Sequence, residues 1–171
     1  MKLPSELLNA EPAEFMLAVQ VDARMVPPPN AVPTLDIHLQ PRPPDAFEAI
    51  ERKLPMRMSV SSIPALGLIA APADRRWLIY SFPPESQAEL ARIQAYVKRV
   101  QTERKGGRLS VGIAQGGIAA DDPAFARTRW ESWLQTSRKD GFFELWSGSI
   151  DELKKQAKND AAQESAGGER R

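Results

Sequence analysis

The sequence predicts an α+β fold: a mixed, largely antiparallel sheet with helices packed mainly on one face. Three observations predict it. Apolar and polar residues alternate in LDIHLQ (35–40), MRMSV (56–60) and RLSVGIA (108–114), the period of strands with one buried and one wet face. Helix-start signals stand at Asp45/Glu48, Ser86/Glu89 and Ser149/Glu152, where a cap oxygen accepts from an orphan backbone N–H and the carboxylate reaches back. The alternating strands lack the continuous apolar runs of fully buried parallel strands. A small α/β fold with βαβ crossovers in the C-terminal half is the alternative, because strand, helix, strand, helix and strand follow one another from Arg76 to Gly148.

In chain order, the N-terminal segment carries no assigned element. VPPPNAVP (26–33) and QPRPPD (40–45) hold 7 of the 15 prolines and read as fixed, extended connectors around the strand at 35–40. After Asp45 the apolar positions Phe47, Ile50 and Leu54 predict a helix. A strand at 56–60 follows. LGLIAA (66–71) and RWLIYSF (76–82) read as more central strands, joined by a turn at PADR. From Ser86 the stripe Leu90, Ile93, Val97 and Val100 predicts a helix of about four turns. It ends on Arg104, Lys105, Gly106 and Gly107, cations at the carbonyl end and then glycine. After the strand at 108–114, Asp122-Pro123 reads as a cap with proline at the first helical position. Phe125, Trp130, Trp133 and Leu134 form the stripe of that predicted helix. GFFELWSG (141–148) reads as the last strand, and Ser149 caps the last helix. Residues 1–155 then form a single globular domain. Residues 156–171, where the apolar stripe stops, read as a fraying helix and a disordered tail.

Bulk composition narrows the function classes. At 171 residues, 42% hydrophobic and 26% charged, the chain matches ordinary folded proteins. It can bury roughly 70% of its unfolded surface. The 23 basic and 22 acidic side chains give a net charge of +1, so no global field favours nucleic acid or anionic lipid. The absence of cysteine removes disulfides, thiolate metal sites and cysteine nucleophiles. No apolar stretch approaches the roughly 20 residues of a membrane helix, and the start lacks a signal-peptide core. The expectation is a cytoplasmic protein with no membrane association.

Little in the sequence points to catalysis. RLSVGIAQGGIAADDP (108–123) resembles a phosphate loop only in its glycines. No lysine and hydroxyl follow Gly117, as a Walker loop requires, and glycines 112, 116 and 117 lack the dinucleotide spacing. Asp121 and Asp122 would also repel phosphate, so the segment reads as a structural turn. His38 is the single histidine, which leaves no two-histidine metal site. A serine triad would have to recruit that same residue, without any G-x-S-x-G elbow. No cofactor, no metal and no catalytic residue is expected.

The leading functional expectation is a non-enzymatic protein-binding or assembly module, with a protein partner or self-association. Its candidate interaction residues are the late aromatics Trp130, Trp133, Phe142 and Trp146, a type enriched at interfaces. The alternative is a small-ligand or enzymatic domain with a pocket at strand ends near Ser81, Gln115 and Ser147. The third is weak nucleic-acid binding through the basic helix end of Lys98, Arg99, Arg104, Lys105 and Arg108.

Overall fold

A computed structural model describes residues 3–42, 47–59, 62–103 and 106–169. Among them are three α-helices and eight strands in two antiparallel sheets, so the fold is α+β as the alternation predicts. The five-stranded sheet has the order β4-β5-β1-β7-β8, from β1 (Met16–Asp22), β4 (Arg57–Met58), β5 (Arg75–Ser81), β7 (Arg129–Gln135) and β8 (Phe142–Ser149). The three-stranded sheet has the order β3-β2-β6, from β2 (Thr34–Arg42), β3 (Ile50–Pro55) and β6 (Gly106–Ala114). The helices are α1 (Leu3–Leu8), α2 (Pro84–Thr102) and α3 (Ile150–Glu169).

The central strand of the larger sheet, β1, is the element the pattern did not announce. Leu17, Ala18 and Val19 are buried in succession, while Gln20 and Asp22 are half-buried; β1 is paired on both edges, by β5 and by β7. Met16 and Ala18 make the start of its outer face apolar, so the alternation shows only from Val19 to Asp22. Its inward residues Leu17, Val19 and Val21 share one core with Leu35, Ile37 and Leu39 of β2. Helix α2 contributes Leu90, Ile93 and Val97 to the same core, at the predicted spacing. The two sheets therefore close over a common interior. Arg75 ties β5 to β1 and, across it, to β7, donating to the carbonyl oxygens of Gln20 (2.8 Å) and Arg129.

Several expectations give way to the tertiary arrangement. The helix expected after Asp45 is instead strand β3; Asp45 itself lies outside the described residues. Ile50 and Leu54 satisfy helical spacing, but they also share strand parity. They pair with Leu39 and Leu35 of β2, and Arg52 between them reaches Glu89 of α2 at 3.3 Å. The helix expected after Pro123 is a single 3₁₀ turn (Pro123–Phe125), followed by β7. The Asp122 cap is real, accepting from the Ala124 N–H at 2.9 Å. Trp130 and Leu134 again fit both periods, and β7 satisfies its backbone in ladders with β1 and β8. LGLIAA forms no strand: Pro64–Leu66 is a 3₁₀ turn ended by Gly67 at φ 77°. The strand at 56–60 is confined to Arg57–Met58, and Val60 lies outside the described residues.

The alternative of parallel crossovers does not form. The β5–α2–β6 unit passes from one sheet to the other, and β7 and β8 form an antiparallel pair. Helix α2 starts two residues before Ser86, at Pro84, and the Ser86 hydroxyl donates to the Pro55 carbonyl at 2.8 Å. The capping box of α3 is present in full. The Glu152 N–H donates to Ser149 Oγ and the Ser149 N–H to Glu152 Oε1, both at 3.1 Å. Among the described residues no helix is long and apolar enough to cross a membrane.

Candidate binding groove

Alternation in β2 sends Leu35, Ile37 and Leu39 into the core and leaves Asp36, His38 and Gln40 on the opposite face. The register extends that polar face over three strands. Asp36 stands between Lys53 of β3 and Gly112 of β6, and His38 stands between Glu51 and Ser110. Gln40 faces Arg108. This face is the floor of a groove of about 860 Å³. Side chains directly opposite in such a ladder have Cβ atoms about 5 Å apart, so each row acts as a local unit. Thr34 donates to Asp36 Oδ1 at 2.7 Å, which holds that carboxylate in place. Gly112 leaves a gap in the floor, since a methyl group there would meet no atom within 4 Å.

The wall comes from Trp146 and from Leu153, Gln156, Ala157 and Asp160 of α3. Three contacts position α3. Its first backbone N–H groups donate to Thr128 and Ala126, at 3.1 and 2.9 Å. Lys154 Nζ donates to the Ala119 carbonyl at 3.1 Å and forms an ion pair with Asp121. Gly116 lets the helix approach: an added methyl would lie 3.1 Å from the Ala157 Cβ. The hydrogen bond and charge of Lys154 hold the Asp121 carboxyl below its ordinary pKa. The acidic pair thus serves as one cap (Asp122) and one helix anchor (Asp121), in line with the structural reading of this segment.

The predicted aromatic residues do not form one surface. Trp130 is fully buried, its indole N–H donating to Gln115 Oε1 at 2.9 Å. Its size and burial make it a core residue, with no exposed area left for a partner. Trp133 sits on the other face of β7, in register with Ala18, half-buried. Phe142 is half-buried at the start of β8, in register with Gln135. Trp146 alone lines the groove, with its ring against Gly148. Of the basic patch, Lys98, Arg99 and Arg108 are exposed, and Arg104 and Lys105 lie outside the described residues. Arg99 lies over the Tyr96 ring at 5.2 Å, and Arg108 belongs to the groove floor. The strand-end trio is not assembled either. Gln115 borders the groove, whereas Ser81 and Ser147 are on β5 and β8, with β1 and β7 between those strands.

Asp36, Glu51, Lys53 and Ser110 were not singled out from the sequence. The polar half of the 35–40 alternation was the available signal. Glu51 and Lys53 were obscured by the helical reading of their segment. Among the described residues no cluster of three His, Asp or Glu side chains is arranged to hold a metal. No known protein family, curated protein or solved structure matches the chain.

Proposed function

We propose that this chain is a non-enzymatic protein-binding or assembly module, and that its docking surface is the outer face of the three-stranded sheet beside α3. One observation carries the reading. The groove has a floor of opposed charges, Asp36, Glu51, Lys53 and Arg108, beside a wall that includes the apolar Trp146 and Leu153. Small-molecule sites are enclosed and mostly apolar, with few polar groups. A broad face with both signs of charge instead suits another protein surface, where charge pattern sets register and specificity. The test is affinity capture from the native host with the wild-type chain and with Gly112→Val, which fills the floor at a strand position. A partner recovered by the wild type and depleted at least tenfold by the variant supports the reading. Partners retained equally by both would refute it.

A second, enzymatic reading rests on a single row. Ser110, His38 and Glu51 are directly opposite one another on three adjacent strands, the order of nucleophile, base and orienting carboxylate. Labelling by a fluorophosphonate probe that disappears in Ser110→Ala would favour it. Absence of labelling in the wild type would remove it.

A further inference from the structure

The charge pattern on the outer face of the three-stranded sheet is self-complementary, and we infer that the partner it fits is a second copy of this chain, docked face to face about a two-fold axis. The inference rests on the protein-binding reading above and names its partner.

The rows of the ladder define the fit. One row holds Lys53 and Asp36, and the next holds Glu51 and His38, in the same strand order. A two-fold axis lying in the interface, across the strands and between these rows, keeps each strand over its own counterpart and exchanges the rows. Lys53 of one copy then faces Glu51 of the other, and Asp36 faces His38. By symmetry each pairing occurs twice, the isologous arrangement of a closed dimer. In the third column the same operation sets Ser110 against Gly112, two small residues where stacked sheets need room. An axis running along the strands would set Lys53 against Gly112 instead, and the charges of β3 would go unmatched.

Helix α3 meets the sheet beyond Ala114, at Gly116 and Ala157. The operation carries the second copy's α3 to the opposite end of the first copy's β6, where Arg108 is exposed. Glu51 and Lys53 are both exposed in the single chain, so neither has to leave a buried partner to make these contacts. Charge pairs of this kind set orientation and are weakened by salt.

Sedimentation equilibrium of the full chain tests the inference, at 50 and 500 mM NaCl. The wild type should dimerise at low salt, with a dissociation constant at least several-fold weaker at high salt. Glu51→Lys and Lys53→Glu should each weaken the dimer by tenfold or more, because each reversal creates two like-charge contacts. The double variant should recover most of the loss, and an equimolar mixture of the two single variants should form a heterodimer. Thermal midpoints unchanged in all variants keep the effect at the interface. A wild-type chain monomeric at 100 μM and low salt would overturn the inference. So would a dimer indifferent to both reversals, or one that neither the double variant nor the mixture restores. A monomeric chain that still captures a partner lost in Gly112→Val would leave the protein-binding reading in place and remove only the second copy as its partner.

Discussion

At the scale of single residues, the same side-chain chemistry has different consequences depending on where the fold puts it. Trp130 fills the core, and its indole N–H is matched by Gln115. Trp130→Ala should cost about 3–5 kcal/mol through the cavity it leaves. Gln115→Leu should cost about 1–3 kcal/mol, since it strands a buried donor; urea denaturation of the two variants measures both. Tyr80 is buried with no hydrogen-bond partner for its hydroxyl among the described residues. Burial pushes its pKa up to about 12. The folded state therefore holds this proton more tightly than the unfolded chain, whose tyrosine titrates near 10. The associated stability is complete below about pH 10 and is lost as pH rises toward 12. Tyr80→Phe should flatten the fall in thermal midpoint across that window and leave neutral-pH stability unchanged or higher. A fall of the same size in the variant would assign it to other groups.

At the scale of elements, glycines decide how β8 and α3 meet their neighbours. A methyl group at Gly148 would lie 2.7 Å from the Trp146 ring, so the far end of this indole, which lines the groove, must shift. Gly148→Ala should therefore leave stability within about 1 kcal/mol and shift the tryptophan emission toward that of a more exposed ring. Gly116 and Gly117 also separate. Gly117 has open space for a side chain and is not among the glycines at positive φ, while Gly116 abuts Ala157. Gly117→Ala should be tolerated within about 0.5 kcal/mol, and Gly116→Ala should be the more disruptive of the two, measured by thermal midpoint. The reverse order would mean that α3 does not approach the sheet at this point.

At the scale of the whole molecule, both sheets and α2 share a single core. Small domains built on one core unfold in one cooperative step. Leu17→Ala in the larger sheet and Ile37→Ala in the smaller should each lower stability by about 2–5 kcal/mol. In both variants far- and near-ultraviolet circular dichroism should report one coincident transition. Two separated transitions in either variant would show that the sheets are independent units. Among the described side chains of α3, the last in the core is Leu153. Deleting residues 161–171 should therefore leave the thermal midpoint within a few degrees.

Local sequence by itself determined the strands and helices whose period admits one reading. The alternation of 35–40 and 108–114, the stripe of α2 and the capping box at Ser149 depend on neighbours in the chain, and all four are realised. It also determined the α+β class, since alternating strands with a wet face belong in antiparallel sheets. Tertiary structure decided the rest. Residues spaced by four, such as Ile50 with Leu54 and Trp130 with Leu134, lie on one face in either a helix or a strand. Only the ladder partners on β2, β1 and β8 resolve them. Strand β1 shows its period only in its second half, where Gln20 and Asp22 alternate with Val19 and Val21, because Met16 and Ala18 are apolar on the outer face. The groove was illegible for a further reason: its floor joins Asp36, Glu51 and Ser110 from three strands, and cross-strand register is a relation that no local stretch of sequence contains.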